Sequence, residues 1–177
     1  LPATTREHEF GDTRTRDRIK NAYGISPEIY VTELSGTHAL VGQSVQQIED
    51  AEHVHIVAIG EKRRVELTPT RDVEIPPNAR LGIVGPPEQL TQFAERHQLR
   101  LTRAKHHPRE FVREDQAGFS EVVIPADSKL VGQSISDIWL RRSYQLAGLG
   151  INRGDQVFNQ EIRQIAIQPG DTLLMFS

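Results

Sequence analysis

An α+β fold of two tandem β-α-β-β-type units follows from three features of this 177-residue sequence. A five-residue run recurs 90 positions later, each recurrence sits between short β-branched segments, and a helix-start signal opens inside each run. The run is Leu40-Val41-Gly42-Gln43-Ser44 and, later, Leu130-Val131-Gly132-Gln133-Ser134. Ile48 and Ile138 keep the same offset. Further along the offset becomes 92, where Val73-Glu74-Ile75-Pro76-Pro77 faces Ile165-Ala166-Ile167-Gln168-Pro169. A two-residue insertion between the blocks accounts for the change.

Each repeat opens on a strand, Tyr30-Val31-Thr32-Glu33-Leu34 in the first and Glu121-Val122-Val123-Ile124 in the second. A helix follows. Ser44 with Gln47, and Ser134 with Asp137, have capping-box spacing, and Ile135, Ile138 and Trp139 fall at the spacing of a buried stripe. A second strand is expected over 54–59 and 147–151, then a polar hairpin region. A Pro-containing turn precedes the last strand, over 80–84 and 171–176. The first repeat continues through Pro86-Pro87-Glu88 into a helix with Leu90, Phe93, Ala94 and His97 on one face. In the second repeat the sequence stops where that helix should begin. Residues 1–27 read as a polar linker with a short helix over 16–23, and residues 100–118 as a second linker. The domains are then 28–99 and 119–177. Leu1 in place of Met, and an apolar strand reaching Ser177, lead to the expectation that the chain is a fragment of a longer protein.

Composition narrows the function. With 21 basic and 24 acidic residues the formal charge is -3, which gives no electrostatic footprint for nucleic acid or an anionic membrane. The absence of cysteine removes disulfides, thiolate catalysis and cysteine-ligated metal. Gly148-Leu149-Gly150-Ile151-Asn152-Arg153-Gly154 is one residue too long for a dinucleotide fingerprint and lies in a strand pattern, so it reads as strand plus turn. His53 and His55 lack a third ligand, and His106-His107-Pro108 reads as a solvated linker pair. Glu33 and Glu121 read as cap and surface residues. No catalytic residue and no metal site is expected.

The second repeat, with Leu130-Val131-Gly132-Gln133-Ser134, then Leu140-Arg141-Arg142-Ser143-Tyr144, Ile151-Asn152-Arg153-Gly154 and Pro169-Gly170-Asp171-Thr172-Leu173-Leu174, resembles the TrkA C-terminal domain, also called the RCK C-terminal domain. The first repeat departs from it, with Asn78-Ala79-Arg80 in place of the Gly-Asp step and Gly60-Glu61-Lys62 in place of the Arg-Gly turn. The tandem pair resembles the cytosolic insert of divalent-anion/sodium symporter family permeases. The resemblance implies a regulatory and assembly module of an ion-coupled transporter on the cytoplasmic face of the inner membrane. Its partners would be the transmembrane part of the same polypeptide and a second copy in a homodimer. It further implies a small-molecule or nucleotide effector, with no resident cofactor, held near Ile151, Asn152 and Arg153. The alternatives are the C-terminal region of a Trk/Ktr-type potassium-uptake system and, last, a free-standing enzyme.

Overall fold

The computed structural model describes residues 5–6, 13–106, 111–112 and 117–177. It is a mixed helix-and-sheet fold with two five-stranded antiparallel sheets, the α+β class expected. In chain order the elements are β1 (Thr5–Arg6), α1 (Thr13–Tyr23), β2 (Tyr30–Glu33), α2 (Val45–Glu52), β3 (His55–Glu61), β4 (Arg64–Leu67), β5 (Arg80–Val84), α3 (Pro87–His97) and β6 (Thr102–Arg103). Then come β7 (Phe119–Val123), α4 (Ile135–Ile138), α5 (Leu140–Tyr144), β8 (Ala147–Arg153), β9 (Gln156–Phe158) and β10 (Thr172–Phe176). They form two compact units: a middle unit, Glu28–Ala117, and a split unit made of Leu1–Pro27 and Gly118–Ser177.

In the middle unit the strand order is β4-β3-β5-β2-β6. Ser44 caps α2 through the expected capping box, accepting from the Gln47 N–H while Gln47 Oε1 accepts from the Ser44 N–H at 2.8 Å. The register of β3 against β5 shifts between Ile56 and Ala58. Ile56 and Ile59 therefore join one core with Leu40, Val45, Ile48, Leu90 and Phe93, and Ala58 joins Val31 and Phe111 on the other face. Both faces of this sheet are covered.

The split unit has the order β1-β7-β10-β8-β9 and the same bulge, with the register shifting where Met175 pairs Gly148 and Leu174 pairs Gly150. Several hydrogen bonds of the loop framework repeat. Gly42 N–H donates to Ile75 O and Ile75 N–H to Gln43 O, as Gly132 N–H donates to Ile167 O and Ile167 N–H to Gln133 O. Leu34 N–H donates to Ala79 O, as Ile124 N–H donates to Asp171 O. Gly42 and Gly132 sit at φ of 84° and 85°, the left-handed region where a side chain is strained, which is why the repeated run keeps glycine there.

Three sequence expectations change. Within residues 1–27, expected as a polar linker, α1 lies on the split unit's sheet with Ile19, Tyr23 and Ile25 fully buried. Gly150 makes room for it: a Cβ there would come 3.2 Å from the Tyr23 ring. The 100–118 stretch also contributes structure, since β6 pairs with β2 and Phe111 is buried against Val31 and Ala58. Finally, Trp139 is not in the buried stripe. Helix formation breaks at Trp139, whose φ of 56° separates α4 from α5 and leaves its side chain 59% exposed.

Burial of three large apolar side chains is worth about 2 kcal/mol each, more than the intrinsic stability of an eleven-residue helix in water. Tyr23→Ala is therefore expected to lower unfolding free energy by about 3–4 kcal/mol, read from the urea midpoint. A loss below 1 kcal/mol would mean that α1 does not dock in solution.

Candidate functional site

The three residues singled out for a ligand lie on one strand, and the structure commits each of them internally. Ile151 is fully buried in the core with Ile124, Ile135 and Leu173. Asn152 Nδ2 donates to Ala22 O at 2.8 Å, and Asn159 Nδ2 donates to Tyr23 O at 2.9 Å. These two amides satisfy carbonyls in the last turn of α1, which have no partner within the helix. Gly24, just beyond, turns at φ 65° and donates to Lys20 O, a left-handed helix stop.

Arg153 ends β8 and closes a two-pronged pair on Asp171. Its Nε donates to Oδ1 and its Nη2 to Oδ2, both at 2.8 Å, and Nη2 also reaches Ala166 O at 2.9 Å. Asp171 is fully buried at the start of β10, and its Oδ2 also accepts the Gln168 N–H at 2.8 Å. The guanidinium stacks 5.3 Å from the Phe158 ring centre. Burial pushes the Asp171 carboxyl up, but the Arg153 fork and the Gln168 N–H outweigh it and hold it below the ordinary aspartate range. The same bond raises the Arg153 guanidinium, so the pair is ionised throughout the neutral range. The Asp of the Pro169-Gly170-Asp171 step thus anchors the chain where the loop enters β10. In the middle unit Ala79 stands in its place and Glu61 in that of Arg153, so this clamp belongs to the split unit.

Sequence reasoning missed a second cluster, on the opposite face of that sheet. Glu121, read as a surface residue, is buried on β7 opposite Leu174. It accepts from Tyr23 O–H at 2.8 Å and from both terminal nitrogens of Arg18. Burial, then the bond to Glu121, pushes the Tyr23 hydroxyl well above its usual range, and the same carboxylate raises Arg18. An isolated Glu in a β-rich run gives no sequence signal of a partner 98 residues away.

The middle unit has its own buried carboxylates. Glu52 accepts from Arg96 Nη1 at 2.7 Å and His97 Nε2 at 2.8 Å, tying α3 to the end of α2. Glu49 accepts the Ile56 N–H at 2.9 Å and pairs with Arg71. His38 Nε2–H donates to His97 O at 3.1 Å. His53 turns the helix end at φ 55° while His55 lies on β3, so the two do not converge, and no cluster of three metal-ligating side chains occurs among the described residues. His106 lies in a short 3-10 turn (Ala104–His106), and His107 and Pro108 fall outside the described residues.

What these pairs do chemically is hold strands and helices in register; each carboxylate already carries its donors. Within that frame, residues 119–176 match the TrkA-C domain. A stretch of 56 residues is 30% identical to an uncharacterized transporter of Synechocystis sp., covering 32% of this chain and 9% of that protein. Among solved structures, a crystal structure of the GsuK RCK domain is similar at 9% identity with a TM-score of 0.39, covering 85% of this chain and 61% of that one. The GsuK channel bound to NAD is similar at 9% identity with a TM-score of 0.35, covering 85% and 50%. The chain thus spans under a tenth of the length of the curated relative and at most about three-fifths of these solved chains.

The Arg153–Asp171 pair sets a pH dependence. The folded carboxyl titrates below its unfolded value of about 4, so its contribution is present above that value and is lost as pH falls through the folded one. Asp171→Asn should cost about 2–4 kcal/mol at pH 7, since Arg153 loses its charged partner. The gap to the unsubstituted chain should close below about pH 4. Urea unfolding at pH 7, 5 and 3 gives the comparison, and parallel curves across that range would contradict the assignment.

Proposed function

We propose that this chain is a tandem pair of TrkA-C domains serving as the regulatory and assembly module of an ion-coupled membrane transporter of the anion/sodium symporter type. The observation that carries the reading is the match of residues 119–176 to the TrkA-C domain, seen beside a middle unit that shares several of its loop hydrogen bonds. The similarity to a transporter of Synechocystis sp. supports the membrane partner. No helix among the described residues is long and apolar enough to cross a membrane, so the transmembrane part would come from the rest of the polypeptide.

The role is non-enzymatic. Asp171, Glu121, Glu52 and Glu49 are each bonded to neighbouring elements, and a side chain spent on register is unavailable as a general base without unpairing a buried charge. Regulation would act through two arrangements of the module with different contacts, which an effector or a second copy biases. The module would sit at the cytoplasmic face of the inner membrane, as a homodimer.

The test begins with the reading frame on both sides of residues 1–177. Apolar spans of about 20 residues on each side are expected. Sodium-dependent uptake of sulfate and of a C4 dicarboxylate into vesicles is then compared with and without residues 13–177. Anion uptake whose rate or affinity changes on removal supports the reading. Spans that carry potassium and no anion would favour the Trk/Ktr alternative, and an upstream dinucleotide-binding unit without spans would do the same.

A further inference from the structure

In the middle unit β4 stands at the end of the order β4-β3-β5-β2-β6, and no described strand pairs with its outer edge. Arg64, Val65 and Glu66 are exposed along it. Lys62 and Arg63 form the two-residue turn from β3, so the rungs of the ladder are Glu61–Arg64, Gly60–Val65, Ile59–Glu66 and Ala58–Leu67. One rung further, Thr68 N–H donates to Val57 O at 2.7 Å. Antiparallel rungs alternate between hydrogen-bonded and open pairs. Arg64, Glu66 and Thr68 therefore turn their main-chain groups toward β3, and Val65 and Leu67 turn theirs away from the sheet. An edge of this kind is a template for one more strand.

The side chains of this edge select the strand that completes it. If β4 of a second copy pairs with it antiparallel, outward-turned residues must meet, which puts the two-fold axis at position 64, 65 or 66. An axis at Arg64 sets arginine on arginine, and one at Glu66 sets glutamate on glutamate, both unfavourable. An axis at Val65 sets Arg64 of each copy against Glu66 of the other. Those are the open pairs, in which side chains approach most closely. Neither Arg64 nor Glu66 has a hydrogen bond or ion pair among the described residues, so nothing is broken to form them. On the opposite face the two valines meet beside Leu67, which packs against the cluster of Val31, Ala58 and Phe111. An edge blunted against its own copy carries proline or charge that repels it; this one carries one charge of each sign, spaced to match. In the split unit β9 exposes Val157 at the corresponding place, but an axis there would set Gln156 against Phe158, so the charge match belongs to the middle unit.

We propose that the outer edge of β4 is a contact between two copies of this chain, paired antiparallel with Val65 facing Val65 and with two Arg64–Glu66 ion pairs across the axis. The sheets of the two middle units then run on as one. The inference rests on the homodimer reading given above and is independent of the transported ion. Two four-residue edges bury less than a standard interface, so a weak dimer is expected, with a dissociation constant on the order of 10–100 µM.

Sedimentation velocity on the 177-residue chain over a concentration series gives the test. Arg64→Glu and Glu66→Arg should each weaken the dimer about 10-fold, since each turns two attractive pairs into repulsive ones. Both positions are exposed, so the melting temperature should not move. The double variant Arg64→Glu/Glu66→Arg restores opposite charges across the axis and should return to within about 3-fold of the unsubstituted chain. An equimolar mixture of the two single variants should form a heterodimer about 10-fold tighter than either variant alone, because all facing charges are then opposite. A dimer indifferent to the single variants, or a mixture that gains nothing, would overturn the β4 contact while leaving the homodimer reading in place. A monomer at every concentration would overturn both.

Discussion

Each sheet is apolar on both faces, and most of this structure follows from having to cover them. In β10, Leu173 and Met175 enter one core while Leu174 and Phe176 are buried on the other side, and β3 and β5 are nearly continuous buried runs. A two-layer unit covers one face with its own helix, and the second face needs chain from elsewhere. The middle unit takes Phe111, against Val31 and Ala58. The split unit takes α1, through Ile19, Tyr23 and Ile25. This need explains why the compact units do not coincide with the sequence repeats.

Which segment covers which face is written in buried charge. Position 121 in the split unit corresponds to Val31 in the middle unit, so a carboxylate replaces a methyl pair on the covered face. A buried carboxylate without donors costs several kcal/mol, and α1 supplies both the Arg18 fork and the Tyr23 hydroxyl. The phenyl ring of Phe111, which suits Val31 and Gly82, offers no such donors. The pair gives little net stability over an apolar contact, but it penalises the wrong cover. Asp171 and Arg153 act similarly within the split unit, fixing the loop into β10 to the end of β8.

These commitments bear on how a regulatory module would work. The side chains at the resemblance-derived ligand position, Asn152 and Arg153, already hold α1 and β10. A ligand acting there would have to exchange with the last turn of α1 or with Asp171. Strand β8 therefore links the split unit's interior to the helix that arrives from the N-terminal side. Ile135 of α4 and Leu140 of α5 lie on the other side of the same sheet, against Gly148, where a Cβ would meet both.

The amino-acid sequence by itself determined the repeated unit. Glycine at 42 and 132, capping boxes at Ser44 and Ser134, and β-branched runs are local signals, because turn geometry, helix starts and strand alternation depend on residues within a few positions of one another. The strand over 80–84 was legible to the residue for that reason. Only the tertiary structure decided that α1 belongs to the split unit, that Glu121 is buried, that Arg153 is bound to Asp171, and that Trp139 faces outward. Each of these is set by a partner that lies outside the local window or, for Trp139, by a left-handed turn that helical spacing does not reveal. Long-range pairing of a charge leaves no periodicity in the chain, so a polar residue destined for the interior reads the same as one destined for water.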